Sequence, residues 1–325
     1  MAKRSLADRL DRLISEMLTA EHGAGFATKD RRLAPLARLG ADLRDLPRPS
    51  FKARLKNDLE RRASMSATAV NPIRAGFHTI TPYVTVPQAG ELIDFVKSVF
   101  GAQELFRGTG SAGGIHAEVR IGDSMMMIGG GSAFRGTPTP TALQYYVPNV
   151  DEVYERTLAA GATTSLGLTE AWGDRFAAVR DPFGNDWIIS THLGPTYVPE
   201  GLRDVTIYLH PQGAANLIDF LKEAFGASEF VRHDSPEGAV LHAKVRVGDS
   251  MIEMGEAHGP WQAMPTAIYL YVPDADAVYR SAMAAGAVSL SEPADQPYGD
   301  RLAGVQDFCG NRWYIATHIR EDTAS

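Results

Sequence analysis

A unit of about 120 residues occurs twice in this chain, and that duplication constrains the fold more than any single motif. Residues 116–129 read HAEVRIGDSMMMIG and residues 242–255 read HAKVRVGDSMIEMG, identical at nine of fourteen positions. LIDFVKSVFGAQELFR (92–107) answers LIDFLKEAFGASEFVR (217–232), and YYVPNVDEVYERTLAAGA (145–162) answers YLYVPDADAVYRSAMAAGA, which ends at Ala287. WGDRFAAVRDPFGNDWIISTH (172–192) answers YGDRLAGVQDFCGNRWYIATH (298–318). The offset stays at 125 or 126 residues throughout, so a whole domain has been copied. A unit of this length can carry its own core, unlike a solenoid repeat.

Within each copy the pattern runs strand, helix, strands, and then the same order again. Tyr83, Val84, Thr85 and Val86 are β-branched or aromatic and read as a strand. Leu92, Val96, Val99 and Phe100 recur at helical spacing, and Gly101 stands where a left-handed C-cap is expected. Strands over 115–121 and 124–129 follow, broken by the turn Gly122-Asp123. A second round opens with a strand over 143–147 and a helix capped by Asn149, which buries Val150, Val153, Tyr154 and Leu158 and stops at Gly161. A strand pair joined by Asp181-Pro182-Phe183-Gly184-Asn185 closes it. Each copy therefore contains two similar halves. The repeats leave open whether halves pair within a copy or exchange between copies.

Residues 1–66 follow a different pattern. Ser5 with Asp8 caps a helix striped by Leu6, Leu10, Leu13 and Met17, and Leu33, Leu36 and Leu43 suggest a second. Ser50 caps a third, with Phe51, Leu55 and Leu59 on one face. This helical segment is expected to pack on a barrel or on a sister chain, as in a homo-oligomer, or to recruit a protein partner. Its basic cluster of Arg48, Lys52, Arg54, Lys56, Arg61 and Arg62 suits an acidic partner, although such charges are more often a solvated face.

Composition narrows the partners. A net charge of -7 argues against nucleic acid, whose phosphates need concentrated Lys and Arg. No stretch approaches the roughly 18 apolar residues of a membrane span. The start, MAKRSLADRL, has no apolar core of a secretory signal. The single cysteine, Cys309, excludes an internal disulfide. A cytoplasmic protein with no nucleic acid and no membrane among its partners is expected.

The blocks HAEVRIGDS, GAQELFR, VPNVDEVYERTLAAGA and WGDR…RDPFGNDW resemble the PhnB-like branch of the glyoxalase/bleomycin-resistance/dioxygenase (vicinal-oxygen-chelate) superfamily. The resemblance covers 72–193 and 202–318, with four blocks in order twice. It implies an α+β fold: two tandem vicinal-oxygen-chelate domains, each of paired βαβββ modules whose curved mixed sheets surround a cavity. Some members are metal-dependent lyases, isomerases or dioxygenases; others bind antibiotics without metal. The family pattern puts four metal-ligand positions in each barrel. Carried onto this sequence it gives Thr81, Met127, Ala142 and Ile188 in the first copy and Thr206, Glu253, Ala267 and Tyr314 in the second. Only Glu253 among these is a ligand type, with His78 and His210 near the first-strand positions. The resemblance therefore implies no metal and no other cofactor, the alternative being a divalent metal held by other donors.

Period-two alternation separates Ile115, Ala117, Val119 and Ile121 from His116, Glu118 and Arg120, and Leu241, Ala243, Val245 and Val247 from His242, Lys244 and Arg246. The apolar row is expected under a helix. The polar row then lines the cavity and meets a ligand, or pairs across the sheet, or faces water. Trp172-Gly173-Asp174-Arg175 and Tyr298-Gly299-Asp300-Arg301 offer a stacking face and a guanidinium fork for a ligand, or an Asp–Arg pair that holds a loop. Ligand contact is thus expected from His116, Arg120, Trp172, Asp174, Arg175, His242, Arg246, Tyr298, Asp300 and Arg301. Glu253, where copy one has Met127, is a weak catalytic candidate: a carboxylate in an apolar barrel can serve as a base, or can be a hydrogen-bonded remnant. The leading expectation is a metal-independent protein that binds, and sequesters, a small organic ligand such as an antibiotic or toxic metabolite. A metal-dependent lyase, isomerase or dioxygenase is the enzymatic alternative. A regulatory or scaffolding protein acting through residues 1–66 is the third.

Overall fold

The computed structural model describes residues 71–320, with Leu33 the one position described before them. The helices expected over 1–66 lie outside the described residues. Four βαβββ modules follow in chain order. The first comprises β1 (Ile80–Val86), α1 (Ala89–Phe100), β2 (Gln103–Thr109), β3 (Ile115–Ile121) and β4 (Ser124–Gly130). The second comprises β5 (Ala142–Tyr146), α2 (Val150–Ala159), β6 (Thr163–Ala171), β7 (Asp174–Arg180) and β8 (Asp186–His192). The third runs through β9 (Val205–Leu209), α3 (Ala214–Phe225), β10 (Ser228–Asp234), β11 (Val240–Val247) and β12 (Ser250–Met254). The fourth runs through β13 (Ala267–Tyr271), α4 (Ala275–Ala284), β14 (Val288–Asp295), β15 (Asp300–Gln306) and β16 (Arg312–His318).

The helix ends follow the residues that mark them. Gly101 closes α1 at φ +68°, a left-handed turn that costs a residue without Cβ nothing. Asn149 opens α2 by accepting from the Glu152 N–H, and Asp274 does the same for α4 with Ala277.

The open question of pairing has a definite answer: the modules exchange between copies. One eight-stranded sheet has the order β14-β15-β16-β13-β1-β4-β3-β2, and the other β10-β11-β12-β9-β5-β8-β7-β6. Each sheet thus joins one module from each copy. β1 meets β13 antiparallel (Thr81 opposite Tyr269), and β5 meets β9 antiparallel (Gln144 opposite Thr206). Inside each module the first and last strands are parallel, so both sheets are mixed.

The repeated Gly-Asp-Ser turn ties the two sheets to each other. Asp123 and Asp204 each accept the other's backbone N–H at 3.0 Å, and Ser124 accepts from the Val205 N–H. In the second copy Asp249 accepts from Thr79 N–H and Ser250 from Ile80 N–H. Each turn is stitched to the first strand of the other copy's matching module. Arg203 lies 3.6 Å from both Asp123 and Asp249, and the equivalent residues Thr141 and Thr266 hydrogen-bond each other at 3.0 Å. An equivalent pair touching its own counterpart marks a local two-fold axis.

Alternation works over most of each row, but Ile115 is only partly buried and Leu241, expected under a helix, is exposed near the start of β11. Ala117, Val119, Ile121, Ala243, Val245 and Val247 are buried in the same core cluster as the helix residues Leu92, Val96, Leu217 and Leu221. Met126 joins that core, whereas Met125 and Met127 turn to the opposite face beside Tyr269 and Tyr271. The Asp181-to-Asn185 turn serves the fold. Asp181 accepts from Phe183 N–H, Asn185 N–H and side chain, and the Trp187 indole; Asp307 repeats this with Cys309, Asn311 and Trp313.

Candidate functional site: two unlike cavities

Strand register fixes which four side chains face one another at the centre of each sheet. Tyr83 pairs with Met127 and Tyr269 with Tyr314, and all four line a cavity of about 220 Å³ walled by β1–β4 and β13–β16. Tyr208 pairs with Glu253 and Gln144 with Ile188, and these line a cavity of about 440 Å³ walled by β5–β8 and β9–β12. The first-strand positions expected from the resemblance, Thr81, Ala142, Thr206 and Ala267, are therefore corrected by two residues along each strand, to Tyr83, Gln144, Tyr208 and Tyr269. A shift of two keeps a side chain on the same face, which is why the pattern looked self-consistent. The grouping is corrected as well, because each set of four draws on both copies.

In the larger, glutamate cavity, Glu253 is 2% exposed. One carboxylate oxygen, Oε1, lies 3.5 Å from Lys244 Nζ and 3.8 Å from His242 Nε2; the other, Oε2, has no hydrogen-bond partner among the described residues. Burial pushes its carboxyl up to about 7, against the pull of Lys244. His242 accepts or donates a 3.2 Å bond with the Tyr208 hydroxyl, and burial with the nearby Lys244 charge holds its imidazole down at about 4. His210 is also lowered to about 4, chiefly by burial, and its Nε2 is buried without a partner. Its ring is stacked on Trp261 at 5.2 Å and lies tilted by 32° against Tyr208 at 4.8 Å, so three aromatic rings form one wall. Trp172, 74% exposed and the one non-glycine residue at positive φ (+58°) among the described residues, stands at the mouth 5.9 Å from the His233 ring.

The smaller, tyrosine cavity has different chemistry. Tyr83, Tyr269, Tyr271, Tyr298 and Tyr314 line it with Met127, Phe106 and Leu302. Burial raises the phenols, that of Tyr298 to about 12. Glu118 sits where the other cavity has Lys244. Burial alone would raise its carboxyl, but His116 at 3.7 Å and a hydrogen bond from Arg74 hold it low.

Six of the expected contact residues border a cavity: His116, Tyr298 and Asp300 the tyrosine cavity, and Trp172, Asp174 and His242 the glutamate cavity. Asp174 and Asp300 are spoken for within the protein. Asp174 binds His192 Nδ1 at 2.6 Å and the Tyr146 hydroxyl at 3.4 Å; Asp300 binds His318 Nδ1 at 2.8 Å and the hydroxyls of Tyr269 and Tyr271. The four arginines are not brought to either lining. Arg175 forks onto Asp151 at the start of α2, and Arg301 onto Asp276 at the start of α4. Each ties a strand to a helix N-terminus, so the motif's Arg pairs with a helix and its Asp with a histidine, not with each other. Arg120 reaches Gln103, and Arg246 lies over Phe230 at 5.1 Å; both are exposed at the sheet end beyond the cavity.

Sequence reasoning missed Gln144, Tyr146, Tyr208, His233 and Trp261 and gave Lys244 no role of its own. The β9 alternation Thr206, Tyr208, His210 carried a usable signal, since every second residue on that strand faces inward. Trp261 lies outside the strands, where periodicity is silent.

Sheets of two βαβββ modules closed around a side-chain-lined cavity define a vicinal-oxygen-chelate protein. Residues 76–189 and 212–315 match the Glyoxalase/Bleomycin resistance protein/Dioxygenase superfamily, and the chain belongs to it. An uncharacterised protein of Mycobacterium bovis is 34% identical over 119 residues, which is 33% of this chain and 78% of that protein. An uncharacterised Mycobacterium tuberculosis protein matches at the same identity over 33% of this chain and 70% of its own. Among solved structures, glyoxalase I from Zea mays aligns with a TM-score of 0.55 at 14% identity, covering 73% of this chain and 92% of that one. A dioxygenase candidate from Bacillus subtilis aligns at 0.51 and 18% identity, covering 78% and 87%. At such identities the likeness is one of fold.

The superfamily's metal chemistry can be tested against the donors present. A divalent ion of this kind takes about four to six N or O ligands. In the tyrosine cavity the four central residues are three phenols and a thioether. In the glutamate cavity they are one carboxylate, one amide whose Nε2 is committed to Ser190 at 2.6 Å, one phenol and one alkyl chain. No group of three His, Cys, Asp or Glu side chains converges among the described residues. The residues do not fit such a centre, and no step is derived through one.

Proposed function

We propose that this protein is a metal-independent binder of a small organic molecule, with the glutamate cavity as its working site and sequestration of that molecule as its role. The observation that carries the proposal is the cavity of about 440 Å³ with two side-chain atoms, Glu253 Oε2 and His210 Nε2, buried in it without protein partners. An unpaired buried polar group costs about 1–3 kcal/mol, and a bound molecule that supplies the missing partner recovers that cost. The volume falls within the range of about 300–1,000 Å³ usual for small-molecule pockets. The test is native mass spectrometry of the protein purified from its own host, with elemental analysis of the same sample. A retained organic mass without stoichiometric Fe, Mn, Ni or Zn supports the binder; a stoichiometric metal sinks it.

A catalytic reading has one observation in its favour. A carboxyl held at about 7 is suited to taking a proton at neutral pH. Once the retained molecule is known, Glu253→Gln separates the two readings: a binder keeps most of its affinity, whereas an enzyme loses turnover with affinity intact.

A further inference from the structure

We propose that the glutamate cavity selects an uncharged, flat molecule that presents a hydrogen-bond donor to Glu253, a requirement that the tyrosine cavity does not share. The inference rests on the binding role proposed above and names the class of ligand.

Charge comes first. The carboxylate of Glu253 already has its counter-charge in Lys244 at 3.5 Å. The other acids on the wall are balanced locally. Asp174 is held by His192 and Tyr146, and Glu256 accepts the Gly213 and Ala214 N–H groups at the start of α3. A cationic ligand would compete with Lys244, and an anionic one would face Glu253. A charge brought out of water into such a site meets acids that the protein already engages, so it gains little in return for its lost hydration and a neutral molecule fits best.

The donor requirement follows from the two unpartnered atoms. In its ionised form, which predominates above about pH 7, the carboxyl of Glu253 accepts only, so there Oε2 needs an N–H or O–H from the ligand. His210 Nε2 accepts or donates according to tautomer and does not narrow the choice further. Shape follows from the rings: Trp261 stacks on His210 with Tyr208 tilted beside it, and Phe176, Tyr146 and Trp172 also line the cavity. Flat faces favour a flat aromatic guest.

In the tyrosine cavity the residues equivalent to Glu253 and His210 are Met127 and Thr85, and Thr85 is engaged with Thr139. Neither position carries a carboxylate or an imidazole with an unpartnered buried atom.

Indole and benzofuran test the idea, because they share shape and differ at one ring atom, N–H against O. Binding of each to the full chain is measured by ligand-observed NMR titration. The expected result is about tenfold tighter binding of indole, the worth of one hydrogen bond to a buried charged acceptor. Glu253→Met should bring the ratio close to one, while Glu253→Gln, which keeps an acceptor oxygen, retains most of it. Tryptamine and indole-3-acetate, the charged analogues, should both bind more weakly than indole. Equal affinity of wild-type protein for indole and benzofuran, discrimination that survives Glu253→Met, or tighter binding of either charged analogue overturns the ligand class and leaves the binding role standing. Failure to bind any of the four overturns both.

Discussion

The two cavities share a scaffold and differ in what they hold out to a guest. In both, an Asp from the Trp/Tyr-Gly-Asp-Arg motif grips the histidine that ends the last strand of its module, and at least one tyrosine hydroxyl. In both, the motif's Arg is tied to a helix start. The difference is concentrated at the inner faces, where Met127, Glu118 and Thr85 answer Glu253, Lys244 and His210. The lesson is that residues repeated in both copies mostly build the barrel, and the residues that break the repeat set its chemistry. Exchange of modules sharpens this, since each cavity takes half its wall from each copy.

The largest effect should come from carrying the carboxylate across. In the glutamate cavity Glu253 lies directly opposite Lys244 on the neighbouring strand, whereas Met127 lies opposite Glu118. Met127→Glu would set two buried carboxylates face to face and should cost about 4 kcal/mol at pH 7, measured by urea unfolding. A loss below about 1 kcal/mol would mean that the two floors are interchangeable and the comparison is empty.

Next comes the shared Asp, which is not equally buried. Asp300 is 2% exposed and satisfies Tyr269, Tyr271 and His318, while the Asp174 side chain is 17% exposed and its bond to Tyr146 is long at 3.4 Å. Asp300→Ala should cost about 3 kcal/mol and Asp174→Ala about half as much. Equal losses would show that burial does not distinguish the two supports.

How much of this was legible in the sequence depends on the kind of contact. Elements, caps and the apolar rows of β3 and β11 could be read because they depend on neighbours a few residues apart. The duplicated turn Gly-Asp-Ser was visible, but its partner was not: Asp123 meets Asp204, and nothing local to either residue says so. Module exchange was undetermined for the same reason, since paired and exchanged arrangements bury the same faces. The Arg of WGDR was expected at a ligand because a guanidinium fork suits one, yet Asp151, 24 residues back, satisfies that fork. His116, Trp172, His242 and Tyr298 were placed on cavity walls by alternation and motif alone. Tyr208 and Gln144 were lost to a two-residue slip that leaves facing unchanged.

The titration of Glu253 gives a third, smaller effect with a definite sign. Its folded carboxyl is raised to about 7 from an ordinary 4.5. The folded state therefore binds the proton more tightly. That stabilisation is fully present below pH 4.5 and is lost as pH rises through 7. Glu253→Gln removes the dependence, so the variant should gain on wild type by at most about 3 kcal/mol at pH 8 and by almost nothing at pH 4.5. His210 and His242 work the other way: their pKa values are lowered to about 4, so their contribution is present above pH 6.5 and lost as pH falls toward 4. They are common to both proteins and cancel in the difference. A gain at pH 8 no larger than at pH 4.5 would mean the carboxylate is well solvated, and the glutamate cavity would lose its distinguishing feature.

The smallest effect separates the two cavity mouths. Trp172 holds φ +58°, a left-handed conformation that a bulky side chain adopts only at a cost, and it does so while 74% exposed. Its counterpart Tyr298 is 38% exposed and is not at positive φ. Glycine at 172 relieves the strain and gives up little packing, so Trp172→Gly should raise stability by roughly 0.5 kcal/mol. Glycine at 298 relieves nothing and frees the unfolded chain, so Tyr298→Gly should lower it by about 1 kcal/mol. Opposite signs in parallel thermal melts would show that the protein tolerates a strained aromatic at the mouth of the larger cavity alone, as expected if that side chain is kept for a guest. If both variants lose stability equally, Trp172 is held by packing, and the mouths do not differ in this respect.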